Sequence, residues 1–175
     1  MDEEIYDLAQ HISCTTVRFR MCPQLWSEFE NPHGLLLDHS QWTEVKFLND
    51  DGSLHAEIET LPSTAGGIYA FVVKSNVLPE ISNYLVYIGR AKITDSQNLK
   101  KRVKSYLSNY NNERERPKIY KMIKEWGRSL HLKYFQLDDN TMIDELEDNL
   151  INSLLPPFND KRTSTKINRA ISAFE

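Results

Sequence analysis

An α+β fold is predicted for this chain: a small central sheet of about three strands flanked by helices, with an N-terminal extension containing a β-hairpin. Three observations predict it. Apolar runs at Gly67 to Lys74, Tyr84 to Gly89 and Leu130 to Leu137 have the length and turn-bounded ends of strands. Between and after them, apolar side chains recur at helical intervals, as in Leu99, Val103, Tyr106, Leu107 and Tyr110. With 175 residues, 40% hydrophobic and 26% charged, the composition is that of one globular domain with an elaboration.

Taken in order, residues 3–12 and 23–30 read as short helical pieces, with Pro23 suited to a first helical position. Trp42 to Leu48 and Leu54 to Thr60 alternate as strands do, and Asn49-Asp50-Asp51-Gly52-Ser53 between them is turn chemistry, which together predict the hairpin. Leu61 to Gly66 is the joint, so residues 1–62 are read as an extension and 63–175 as the main domain. Two strands follow. A helix is expected over 95–110, capped by Asp95 or Ser96, and a second from Pro117 to Trp126 with Gly127 as its stop. After the third strand, Thr141-Met142-Ile143-Asp144 resembles a capping box opening a helix that must end before Pro156-Pro157. A last helix starts at about Thr165.

The bulk properties exclude several classes. No run is long enough to cross a bilayer, and Met1-Asp2-Glu3-Glu4 is acidic where a secretory signal is basic, so the expected location is cytoplasmic, with no membrane partner. Cys14 and Cys22 lack Cys or His partners at zinc spacing and are read as free thiols. The net charge of −4 conceals a segregation along the chain. Residues 1–60 hold 12 acidic and 3 basic side chains, whereas 90–133 hold 13 basic and 4 acidic. Such a basic middle suits a polyanion track, since Lys and Arg gain affinity by releasing phosphate counterions; two solvated lysine-rich helices would read the same way.

Glu147 is the informative oddity of the helix after the third strand. The apolar stripe there is Ile143, Leu146, Leu150 and Leu154, and Glu147 falls one turn after Ile143, toward the same protected side. An unpaired buried charge costs several kcal/mol, so this carboxylate needs a cation or donors. Its neighbours Asp144, Glu145 and Asp148 lie wholly or partly on the outer face.

Gly67-Ile68-Tyr69, followed by Tyr87-Ile88-Gly89 eighteen residues after Tyr69, resembles the paired motif of the GIY-YIG nuclease family. The resemblance extends to Arg102 on the first helix after the second motif, to Glu147, and to Asn159 within Pro156-Pro157-Phe158-Asn159, covering about residues 66–160. Where many members have histidine one turn after the arginine, this chain has Tyr106, and none of its five histidines falls in that part of the helix. Residues 1–60 match no motif of the family; a specificity or dimerisation element and a cover for a sheet edge both remain open.

What the resemblance implies is a divalent-metal-dependent endonuclease, most simply acting on DNA in restriction, defence, repair or mobile-element biology. Glu147 would bind Mg²⁺ or Mn²⁺. Arg102 would clamp the scissile phosphate with its planar fork. Tyr69 would be the general base, an awkward role for a phenol of pKa ~10, which needs a cation field and a basic side chain from among Lys74, Arg90 and Lys92. Tyr87 and Tyr106 would orient water or phosphate, and Asn159 would fix the site by hydrogen bonds. Arg90, Lys92, Lys100, Lys101, Lys104, Arg114, Arg116, Lys118 and Lys121 would hold the nucleic-acid backbone. The alternatives are a catalytically silent nucleic-acid- or protein-binding module on the same fold, and an RNA-cleaving nuclease. A homodimer is compatible with two-strand cutting.

Overall fold

The structure, a computed structural model, describes residues 3–31, 33–160 and 164–173. In chain order its elements are α1 (Glu3–Thr15), α2 (Pro23–Ser27), β1 (Thr43–Lys46), β2 (Gly66–Lys74), β3 (Asn83–Ala91), α3 (Leu99–Asn111), α4 (Pro117–Trp126), β4 (Leu130–Leu137), α5 (Asn140–Leu154) and α6 (Thr165–Ser172). The sheet is antiparallel throughout and ordered β1-β4-β2-β3. It has four strands rather than the expected three, because β1 comes from the extension and hydrogen-bonds along β4 from Thr43 opposite Tyr134 to Lys46 opposite His131. An edge of unpaired N–H and C=O groups on β4 is thereby covered.

The expected hairpin is only partly present. The chain reverses at Asn49–Ser53 and forms one bridge between Leu48 and Leu54, but Ala56–Thr60 is a 3₁₀ helix rather than a strand. Two apolar anchors explain the difference: Ile58 and Leu61, three residues apart, are both buried in the core, a spacing that suits a helical turn and not a strand.

Side-chain alternation along β2 divides the core. Tyr69 and Phe71 face α3 and α4, packing with Leu99, Val103, Tyr106, Ile119 and Met122. Ile68 and Ala70 face α5, with Ile143, Leu146 and Ile151. In β3 the register slips opposite Phe71 and Val72, which pair with Tyr87 and Leu85, so Val86 is an extra residue. The bulged Val86 carbonyl accepts instead from the Phe158 N–H at 3.1 Å.

Helix starts differ from expectation where a better cap lies nearer the first buried residue. In α3 the Asn98 side chain accepts from Lys101 N at 2.9 Å, so the helix opens at Leu99 instead of being capped by Asp95 or Ser96. In α5 Asp139 Oδ1 accepts from Thr141 N and Met142 N at 2.7 and 3.0 Å, placing Thr141 inside the helix rather than at its cap. The α5 terminus, α4 from Pro117 to Trp126 and α6 from Thr165 lie where the sequence put them.

Candidate active site

Two glycines make the two tyrosine motifs compatible. Tyr69 on β2 is opposite Gly89 on β3, and a Cβ at Gly89 would sit 2.6 Å from the Tyr69 hydroxyl oxygen. Only glycine leaves room for that phenol to lie across its neighbour strand. Gly67 has φ +144°, and a Cβ there would meet the Phe135 carbonyl oxygen at 2.1 Å.

The phenols of Tyr69, Tyr106 and Tyr87 form a hydroxyl chain. Tyr69 and Tyr106 oxygens are 2.8 Å apart, and Tyr106 donates to Tyr87 at 3.2 Å. A guanidinium touches each end. Arg102 Nε donates to Tyr69 at 3.2 Å and its Nη2 to Tyr106 at 3.3 Å, the charge lying 4.9 Å from the Tyr106 ring centre. Arg116 Nη2 donates to Tyr87 at 3.2 Å. Tyr69 and Tyr106 are fully buried, and burial pushes both phenols well above their ordinary range, with Arg102 pulling the other way. The adjacent Tyr69 phenol oxygen in turn raises the Arg102 guanidinium, which stays charged.

Across the cleft stands Glu147, its side chain 15% exposed. Arg90 Nη1 lies 2.7 Å from Glu147 Oε2, and Arg90 Nε lies 3.0 Å from Asp144 Oδ1; Lys92 also pairs with Asp144. Burial lifts the Glu147 carboxyl to about 7, with Arg90 opposing and Asp148 and Asp144 reinforcing the rise. Asp148 is raised as well, again first by burial.

Asn159 acts as a clamp. Its Oδ1 accepts from Ile88 N at 2.9 Å and its Nδ2 donates to Ile88 O at 2.7 Å, satisfying both backbone groups on the outer side of the edge strand β3. The residue is 5% exposed. It holds the second motif in place from the far side of the chain.

Tyr69, Tyr87, Arg102, Glu147 and Asn159 therefore line one cleft of about 500 Å³, with Tyr106 bonded to both phenols. Of the basic side chains singled out by sequence, Arg90, Lys92 and Arg116 line the same cleft. Lys100 and Lys104 instead pair with Glu59 of the extension, and Lys118 with Asp160 at 2.7 Å. Lys101, Arg114 and Lys121 are exposed. Lys74 lies elsewhere, bonded to Glu44 and Glu80 at 2.9 and 3.0 Å, so it does not support Tyr69. The charges that touch the phenols are Arg102 and Arg116. Arg116 was legible only as one of many basic residues. Of the acids read as wholly or partly on the outer face, Asp148 lines the cleft, and Asp144 pairs with the cleft residues Arg90 and Lys92; its place three residues before Glu147 was the available signal.

Among the described residues no group of three or more His, Cys, Asp and Glu side chains is arranged to hold a metal ion. The donor set fits a hard divalent cation that keeps most of its water, since one protected carboxylate opens on a polar cleft. No helix among the described residues is long and apolar enough to cross a membrane.

Comparison with known families agrees with this geometry. The model of the UvrC-like GIY-YIG domain matches residues 65–160, more than half of the chain, from the start of β2 through Asn159. No curated protein and no solved structure matches. Because the matched span contains both motifs, Arg102, Glu147 and the Asn159 clamp, on an antiparallel sheet flanked by helices, the chain belongs to the GIY-YIG family, whose domain supports a nuclease-type function on nucleic acid.

Proposed function

We propose that the chain is a metal-dependent endonuclease that hydrolyses phosphodiester bonds in DNA. The observation that carries this reading is the convergence of Tyr69, Arg102 and Glu147 on one basic-walled cleft. Glu147 would hold Mg²⁺ or Mn²⁺; when bound, such an ion supplies positive charge for the phosphate and lowers the pKa of nearby water.

The protein groups do the rest. Arg102, already fixed by two phenols, presents its fork to the scissile phosphate. Tyr69 is the candidate to take a proton from the attacking water. As a phenolate it has Arg102 Nε in reach at 3.2 Å, and the Tyr106 hydroxyl at 2.8 Å becomes a second donor by turning its proton from Tyr87. Tyr87 orients the water, held by Arg116. Asn159 positions β3 and does not touch the reacting atoms. Arg90 and Lys92 bind flanking phosphates without reading sequence.

One observation favours a second reading, a silent binding module: Arg90 already compensates Glu147, so its burial does not by itself demand a metal. Nicking of supercoiled plasmid in Mg²⁺ separates the two. Cutting by the parent and its loss in Glu147→Gln is the expected result; equal cutting, or none by either protein, overturns the proposal. The same assay on RNA of matched sequence ranks the substrates.

A further inference from the structure

No residue of α1 lines the cleft. The helix is 13 residues long with none buried. Ile5, Leu8 and Ile12 fall on one stripe, 58%, 58% and 57% exposed, with Tyr6 at 59% beside them. A helix of this length is marginal in water and draws its stability from packing, so an apolar stripe left open marks an interaction surface.

The complementary surface lies on the same chain. A groove of about 580 Å³ runs between the segment following α1 and α6, with Leu25, Leu155, Ile167 and Ile171 among its walls. Arg18 and Lys166 also line it, together with Glu28, whose Oε1 accepts from Gln24 Nε2 at 2.8 Å. α1 carries Glu3, Glu4 and Asp7 and no Lys or Arg. An acidic helix with an apolar stripe and an apolar groove with basic walls are matched for helix-in-groove docking.

Within one chain no residue of α1 lines that groove. Only Thr16 and Val17 separate Thr15 from Arg18. The Thr15 and Thr16 hydroxyls donate back to the His11 and Ile12 carbonyls at 2.9 and 2.8 Å, setting the exit of the helix. We propose that α1 of one copy occupies the groove of a second copy and receives that copy's α1 in return. The exchange closes as a two-fold dimer and does not depend on the cleft's chemistry.

Light-scattering mass of the full chain, with two paired variants, tests it. The parent is expected to have twice the chain mass at micromolar concentration, and Leu8→Asp with Ile12→Asp in α1 to halve it without altering the thermal midpoint of the core. Ile167→Asp with Ile171→Asp in the groove should also give monomers, as should Arg18→Glu with Lys166→Glu, which spares the apolar contacts. Mixing the α1 variant with the Arg18→Glu, Lys166→Glu variant brings the wild-type helix of the second to the wild-type groove of the first, which should restore a heterodimer held by one junction. A parent that stays monomeric, an α1 variant that still dimerises, or complementary variants that fail to pair with each other overturn the proposal. So does a monomeric parent whose α1 amides are protected from exchange, the result expected if α1 folds onto its own groove.

Discussion

Arg90 Nη1 lies 2.7 Å from Glu147 Oε2, so the side chain that follows the second glycine motif holds the carboxylate of α5. Strand β3 and helix α5 are joined at the cleft by this contact and by the Arg90–Asp144 pair. Removing Glu147's charge while keeping its shape should therefore separate chemistry from folding. Glu147→Gln is expected to lower Mg²⁺-dependent cleavage on the order of 10³-fold, the scale of losing a principal electrostatic group, with DNA affinity in metal-free buffer unchanged. Single-turnover cleavage beside a binding titration measures both.

The same residue gives a pH signature. Burial lifts the folded-state Glu147 to about 7 from an ordinary 4.5. The native state then binds more protons than the unfolded chain between those values. Its contribution to stability is full below pH 4.5 and is lost as pH rises toward 7. About 3 kcal/mol is at stake by linkage, and Glu147→Gln should flatten that slope. Urea melts of parent and variant across this range in metal-free buffer check it; parallel slopes would refute the assignment.

Arg102→Lys retains a charge and loses the fork. Two buried phenol oxygens then compete for one ammonium, and the bidentate phosphate geometry is gone. Cleavage should fall about 10²- to 10³-fold while the salt dependence of DNA binding stays near that of the parent.

Asn159 should behave as a positioning residue. Asn159→Ala deletes both hydrogen bonds to Ile88 at a buried site, a loss of about 2–4 kcal/mol in a denaturant melt. Gly89→Ala should also destabilise, by about 1–3 kcal/mol, because its Cβ would meet the buried Tyr69 phenol, the hydroxyl oxygen at 2.6 Å.

Glu59 ties the extension to the basic helix through Lys100 and Lys104. Glu59→Gln removes the charge that pairs both ammonium groups, releasing Lys104 and leaving Lys100 Nζ only its 2.6 Å bond to the Glu59 backbone carbonyl, so DNA binding should tighten and its salt slope steepen by up to about 0.9 per phosphate newly contacted. An unchanged slope would show that these lysines do not meet the backbone.

Local patterns carried far in this chain because they act at short range. Strand runs, the helical stripe of α3, Pro117 and Gly127 around α4, and Pro156-Pro157 beyond α5 each specify an element through nearby residues, and the structure has them there. Cap choice was less legible, since Asn98 and Asp139 compete with equally suitable neighbours and the first buried side chain decides. The fate of 54–60 depended on whether Ile58 and Leu61 found a core, which periodicity in a short segment does not reveal.

By itself the sequence determined the motif pairs, the order of elements and the isolated position of Glu147 on an apolar stripe. Only the tertiary structure decided which charges serve which partners: Arg90 for Glu147, Arg116 for Tyr87, Glu44 and Glu80 for Lys74, Glu59 for Lys100 and Lys104. The reason is physical. Backbone preference is written within a few residues, whereas an ion pair forms between side chains whose separation along the chain, 57 residues for Arg90 and Glu147, is bridged by sheet register and helix packing.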